Sequence, residues 1–565
     1  MTALTGIYLR NFQSIKDPVF LQLDKLCFLY GPNSAGKSSI LDALDLVKKT
    51  VTGNIGSYRL DYFYKQHQNT SQDLGVGIEF ISQKRIAFRD YEWKEHAGWW
   101  EAPDQRGDYF HQEFFSKIGG KKIQIEFGAS GHFIKVAVEG KPLFEFDSEG
   151  LDYDDFLRKS DEEVNETIYG RLIIYKNNAL NTLYDAEYMD FSSKRSSRAY
   201  LSLSPHFRNL FTEESDDKLI IHGLTFDAGK EHQTNFVDVS WSVSDVIFPT
   251  YQSLKAYRSD DADYQKFVDE HFNESTEEGK TAATRRKRIY WSLENIARDF
   301  DKLIKGFFYQ VEFALQYNHV KGDRQVLNST NCFSYPRYLG IEPKNCSLDQ
   351  DEPMARFARF LAESSIYDWP KPSIAGDFIN KSLKNYLISL RGYEIYSQCL
   401  LVSEKINTDP NDRFVFLKVK HKNKENLGFQ DVGSGISYVF PILTSLWQSK
   451  LSFIEQPELH LHPSAQCELG DVFIAAYNKG SMAVVESHSE HMLLRILRRI
   501  RETTNEFLMP KELKFTANDL RIYYFDPEPG GFTKVKEIRV DEYGELLNTW
   551  PGGFFSERDR ELFGE

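Results

Sequence analysis

The chain has 565 residues, five cysteines and a formal net charge of −14, from 69 Lys+Arg against 83 Asp+Glu. That length exceeds what one hydrophobic core fills, so two or three domains are expected, and the acidic balance excludes a whole-surface grip on nucleic acid, leaving only a local basic patch for such contacts. Cysteines without C-x-x-C spacing exclude a disulfide framework or zinc ribbon and suit a reducing compartment, while the absence of a leader pattern and of any apolar run of about 18 residues leads us to expect a cytoplasmic protein outside the membrane.

Taken in order, residues 7–12 alternate apolar and polar as a strand, residues 20–23 form a second, and the apolar run 26–30 (L-C-F-L-Y) forms a third. It leads into Gly31-Pro32-Asn33-Ser34-Ala35-Gly36-Lys37-Ser38 and then the helix-like Ser39-Ile40-Leu41-Asp42-Ala43-Leu44. Strand, glycine-rich loop and helix is the context that G-x-x-x-x-G-K-[ST] requires: the loop's N–H groups and the helix N-terminus hold a polyphosphate without side chains. Gly31, Asn33, Ser34, Ala35, Gly36, Lys37, Ser38 and Ser39 are therefore the expected ATP contacts, with Lys37 reaching the β/γ-phosphates and Ser38 ligating Mg²⁺. Period-two runs at 76–80, 123–127 and 133–138 predict an antiparallel sheet beside the nucleotide.

From about 150 to 395 the pattern is mixed and aromatic-rich, with one long helix predicted over 284–307. Three basic runs, at 194–198, 285–288 and 498–501, are candidate phosphate contacts or solvated faces. Order returns near 396. Residues 414–419 read as a strand, and Gly433-Ser434-Gly435 precedes an apolar-periodic helix, a second helix start open to an anion. Two buried strands follow, 451–454 ending at Glu455-Gln456-Pro457-Glu458-Leu459-His460-Leu461-His462-Pro463, and 482–485 ending at Glu486-Ser487-His488-Ser489. Polar residues at the C-terminal ends of parallel strands are where an open α/β sheet keeps its ligand site. Closing strands are predicted at 522–525 and 535–538.

These stations resemble the nucleotide site of ABC-type ATPases, in the RecF, SMC/Rad50 and OLD-like branch. The resemblance implies an α/β fold, an ABC-type head with a mixed P-loop sheet and an antiparallel β subdomain, split by a largely helical insertion. The head would comprise 1–150 and 396–565, and the insertion 151–395 would serve dimer or partner docking. It further implies that Gly433, Ser434 and Gly435 form the signature motif, that Glu455 is the Walker B acid and a Mg²⁺ ligand, that Glu458 to Pro463 form the D-loop, and that His488 is the switch histidine. His460 and His462 then brace the D-loop rather than form a metal pair. Gln66 or Gln68 would be the Q-loop glutamine. The composite site implies a head-to-tail homodimer that can build into a higher assembly.

One departure matters: Gln456 stands where the family has a catalytic glutamate. An amide can orient water but cannot accept its proton, which costs about 10²- to 10⁴-fold in rate. Slow turnover is therefore expected, unless Glu458 or a partner supplies the base. The tail, with I-E-Q-P-E-L-H-L-H-P and D-V-G-S-G-I-S-Y-V-F-P-I-L, resembles the bacterial AAA-type ATPases typified by PtuA of Septu anti-phage systems and their retron-encoded relatives. That likeness implies a partner HNH endonuclease, PtuB, and in the retron versions a reverse transcriptase with its RNA–DNA hybrid. The alternative is an OLD- or RecF-like DNA-binding ATPase or nuclease acting without a partner.

Overall fold

The computed structural model describes residues 3–52, 75–83, 115, 118–128, 134–147, 167–175, 212–214, 218–227, 240–243, 280, 304, 306–322, 333–334, 374–390, 392–401, 413–421, 424–427, 431–548 and 550. They fall into two compact units, the first drawn mainly from residues 42–315 with the N-terminal strand, the second mainly from 21–41 and 316–565.

The first unit is built on an antiparallel sheet. β1 (Ala3–Arg10) and β2 (Val19–Gln22) open the chain, and β3 (Leu26–Tyr30) and α1 (Ser39–Thr52) flank the glycine-rich loop. There follow β4 (Gly75–Ile81), β5 (Lys122–Gly128), β6 (Ile134–Val138), β7 (Lys141–Asp147), β8 (Thr167–Tyr175), β9 (Thr212–Glu214), β10 (Lys218–Asp227) and β11 (Ser240–Val243). The sheet order is β11-β10-β8-β7-β6-β5-β4-β1-β2, with β9 paired to β10. The alternation iBiBiBi along β5, with Ile123, Ile125 and Phe127 turned inward, is that of a sheet covered on one face. Residues 306–314 are helical; Phe307 and Phe308 pack against Phe144 and Phe127 of the sheet, and Gly306 leaves room for the Phe115 ring, 2.5 Å from where a Cβ would lie.

The boundary expected near residue 150 falls inside this sheet. Phe144 of β7 pairs with Ile174 of β8, and the antiparallel ladder runs on to β11. The stretch 167–243 thus contributes strands where a largely helical insertion was expected; T-I-Y-G-R-L-I-I-Y, rich in β-branched and aromatic residues, suits a pleated sheet better than a helix. The predicted helix 284–307 lies largely outside the described residues, as do Gln66 and Gln68.

The second unit holds a six-stranded sheet of order β12-β17-β18-β3-β19-β20. Its members are β12 (Asn318–Val320), β17 (Leu451–Glu455), β18 (Met482–Glu486), β3, β19 (Leu520–Pro527) and β20 (Thr533–Glu537). All neighbours are parallel except β19 and β20. Between β12 and β17 come β13 (Phe333–Ser334), α2 (Ile374–Asn385), β14 (Tyr393–Leu401), β15 (Arg413–His421), β16 (Lys424–Leu427) and α3 (Ser434–Gln448). β13 to β16 make a separate antiparallel sheet. α4 (Pro463–Tyr477) joins β17 to β18, and α5 (Glu490–Thr504) joins β18 to β19. Every residue of β3 is buried, as a central parallel strand covered on both faces must be. Phe28 meets Phe473 of α4 edge-on at 6.2 Å, and α3, α4 and α5 contribute Phe440, Leu443, Leu469, Ile496 and Ile500 to the same core.

Candidate functional site

β3 ends at Tyr30, and the loop beyond it requires glycine at two points. Gly31 has φ of 144° and Gly36 of 83°. A Cβ on Gly31 would lie 2.6 Å from the Phe525 carbonyl oxygen, and one on Gly36 would lie 2.1 Å from Ser14 Oγ, so the loop is pressed against its neighbours. The Thr533 hydroxyl donates to the Ala35 carbonyl at 3.0 Å, fastening the loop to β20. Ala35 N–H closes the turn on Pro32 C=O at 3.3 Å. Pro32, Asn33, Ser34 and Ser38 are exposed, whereas Lys37 is 4% exposed.

The Lys37 ammonium folds back on the loop, donating to the carbonyls of Gly31 (3.1 Å) and Pro32 (2.9 Å), and lies 3.6 Å from Glu486 Oε1. Burial lowers its pKa, opposed by Glu486 and Glu458, while burial raises that of Glu486, opposed by Lys37 and reinforced by Glu455 and Glu458. Both charges are thus held where water solvates them poorly, and an anion reaching Lys37 meets an ammonium whose present partners are mostly carbonyl dipoles.

Glu455 and Glu486 end adjacent parallel strands in the same register, and Gln456 N–H donates to Glu486 C=O at 2.7 Å. The Glu455 carboxylate is engaged at both oxygens: Oε1 lies 2.8 Å from His319 Nε2, and Oε2 accepts Gly322 N–H at 3.0 Å. Burial would raise its pKa, but these hydrogen bonds, with the nearby positive charge of Lys321, hold it below the usual carboxylate value. Gln456 sits at φ 42° in the left-handed region, where the chain turns off the strand into the loop 456–462.

Glu458 faces back across that loop. Its Oε1 accepts the His488 N–H at 2.7 Å and its Oε2 accepts the Ser487 hydroxyl at 3.0 Å. With both oxygens engaged, Glu458 braces the turn after β18. Burial, and then the charge of Lys37, lower the pKa of the His488 imidazole, and its Nε2 is buried without a hydrogen-bond partner. The nearby histidines are structural in their contacts. His462 caps α4 through Nδ1, and His460, at φ 60°, packs against Tyr438 with ring centroids 4.4 Å apart and planes tilted by 44°. Gly433 is the N-cap of α3, and Gly435, in the first turn of that helix, lies against Leu461 and the His460 carbonyl of the loop 456–462.

The basic run at 498–501 is occupied internally: Arg499 pairs with Asp471 and Glu502, Arg498 with Glu502, and Arg501 with Glu545. The runs at 194–198 and 285–288 lie outside the described residues. His319, Glu486 and the bracing role of Glu458 were not singled out by sequence reasoning. His319 precedes Glu455 by more than a hundred residues on a three-residue strand, a signal too short to read; Glu486 was visible only as a polar strand end.

Magnesium and a nucleotide triphosphate can be tested against these groups. Among the described residues no group of three or more His, Cys, Asp or Glu side chains is set to hold a metal by itself. A hard carboxylate at the strand end, an exposed Ser38 hydroxyl after the loop and a buried lysine instead match the way Mg²⁺ is bound, by one or two protein oxygens plus substrate phosphates. The groups fit.

A parallel sheet with a glycine-rich loop, its lysine and acidic strand ends at one edge defines a P-loop nucleotide-hydrolase head. The model of the AAA ATPase domain matches residues 3–331 and 362–493, and the chain belongs to that family of ATPases. Residues 516–563 match a second family, a protein of unknown function (DUF3696). No curated protein matches the chain. Among solved structures, the Smc head domain with an extended coiled coil bound to the C-terminal domain of ScpA, from Pyrococcus furiosus, is 10% identical, covering 95% of this chain and 97% of that one at a TM-score of 0.35. The Smc head domain with a coiled coil and joint from Pyrococcus yayanosii is 11% identical (95% and 97% covered, TM-score 0.35). The SMC head domain from Thermotoga maritima is 8% identical (95% and 100% covered, TM-score 0.33). Among the described residues no helix is long and apolar enough to cross a membrane.

Proposed function

We propose that this ATPase is a slowly hydrolysing, ATP-gated subunit of a cytoplasmic anti-phage complex, whose head-to-tail homodimer restrains or presents a partner HNH nuclease of the PtuB kind. In the retron variant of this reading, a reverse transcriptase with its RNA–DNA hybrid joins the complex. The observation that carries the proposal is the strand-end cluster: Lys37, Glu455, Glu486 and His488 converge, and the residue after Glu455 is a glutamine.

The loop amides of Gly31 to Ser39 bind the phosphates, and Lys37 exchanges the Gly31 and Pro32 carbonyls for phosphate oxygens. Ser38 and Glu455 would hold Mg²⁺, which when bound neutralises phosphate charge. His488 Nε2 donates to the terminal phosphate. Gln456 orients a water without taking its proton, so ATP persists and the dimer acts as a clamp or timer. Gly433, Ser434 and Gly435 of each subunit close over the nucleotide of the other. The segment 151–395 supplies docking surface.

The test is to purify the chain from its native operon through a tag and identify what accompanies it, in parallel with Lys37→Ala. Co-purification of an HNH protein, with dimerisation that needs ATP and is lost in Lys37→Ala, is the expected result. A lone homodimer that binds or cleaves DNA by itself would instead favour the OLD- or RecF-like alternative. Full nucleotide occupancy in Lys37→Ala would overturn the site.

A further inference from the structure

We infer that His319 is a positioning residue for the metal-binding carboxylate of Glu455, resting on the reading of the site given above. β12 is three residues long and lies at the edge of the sheet, paired in parallel with β17 so that His319 is opposite Phe453 and Val320 opposite Ile454. The strand stops one register position short of Glu455, and the chain then turns over it through Lys321 and Gly322. From this one segment come both donors to the carboxylate, His319 Nε2 on Oε1 at 2.8 Å and Gly322 N–H on Oε2 at 3.0 Å. Gly322 itself is close-packed there: a Cβ would lie 3.2 Å from Gln456 Oε1 and 3.6 Å from Glu455 Oε2. The Glu455 side chain is 26% exposed and that of His319 is 30% exposed, so the pair is shielded enough to be directional yet open on one side.

A glutamate at a strand end has three side-chain torsions to fix, one more than an aspartate. Two donors from one segment remove that freedom and fix the direction in which the remaining lone pairs are presented. Groups that orient a metal-binding carboxylate in this way set metal affinity, and their removal costs about 10- to 100-fold.

The experiment titrates Mg²⁺ against binding of a fluorescent N-methylanthraniloyl-ATP to the full-length chain, with EDTA as the metal-free reference. His319→Ala should raise the Mg²⁺ concentration at half-maximal binding about 10- to 100-fold, with affinity in EDTA unchanged. His319→Gln keeps a neutral N–H donor of similar reach and should restore most of the loss; His319→Asn, whose amide is too short to reach Oε1, should not. The asparagine variant carries the contrast if alanine fails to fold. An unshifted Mg²⁺ midpoint in both short variants would overturn the role of His319. If the wild-type chain shows no Mg²⁺-dependent binding, or if Glu455→Gln leaves the midpoint unmoved, the assignment of the site itself falls, and this inference with it.

Discussion

Replacing Glu458 separates the loop 456–462 from the turn that carries His488. The Glu458 carboxylate accepts the His488 N–H at 2.7 Å and the hydroxyl of fully buried Ser487 at 3.0 Å. Glu458→Ala leaves two donors without that acceptor, each costing about 1–3 kcal/mol when buried and unsatisfied, or about 2–6 kcal/mol together. Glu458→Gln keeps a carbonyl for the His488 N–H, and the Ser487 hydroxyl can rotate to accept from the new amide, so only the charge-assisted part is lost, about 1–2 kcal/mol. For a unit of this size, one kcal/mol moves the melting temperature by about 2–4 °C. Scanning calorimetry should therefore show a fall of about 4–24 °C for alanine and about 2–8 °C for glutamine. The neighbouring Gln466 provides an internal comparison. It also ties the two segments together, donating to the Leu461 carbonyl at 3.0 Å and accepting the Ser489 hydroxyl at 2.8 Å. An alanine variant that melts with the wild type, or a glutamine variant as damaged as alanine, would refute the account of Glu458 as an anionic brace.

Gln456→Glu restores a carboxylate beside Glu455 and should raise steady-state ATP turnover about 10²- to 10⁴-fold; an unchanged rate in a phosphate-release assay would show that the missing base does not limit hydrolysis. In the first unit, Glu79 is 5% exposed and accepts from Thr5 Oγ1, Lys122 Nζ and Gln124 Nε2, each at 2.9 Å. Burial opposes ionisation, but these three bonds outweigh it and its pKa lies below the ordinary 4.5. A depressed carboxylate stabilises the fold above its unfolded pKa and loses that contribution as pH falls through the folded one. The melting-temperature gap between wild type and Glu79→Gln should therefore be full at pH 7 and shrink below about pH 4.5. A gap that stays constant with pH would contradict the pairing.

The part of the molecule legible in the sequence is the part whose signals are local. Strand 26–30, the loop to Ser38 and the helix after it are contiguous, and each step declares itself by composition: a fully apolar run, glycines where φ must be positive, and a periodic apolar face. The apolar strands ending at Glu455 and Glu486, with polar residues just beyond, could be read in the same way because parallel central strands are buried on both faces. Neither strand order nor register carries such a local signature. That β3 lies between β18 and β19, that Glu486 comes within 3.6 Å of Lys37, and that His319 reaches Glu455 depend on parallel pairings between segments tens to hundreds of residues apart. The same holds for the sheet that runs past residue 150, where β7 and β8 pair across a gap the sequence pattern had marked as a domain edge. Hydrophobic burial decides which segments become strands, and local composition records that decision. Which donor then meets which carboxylate is decided by the packing of distant segments, and only the assembled sheet contains it.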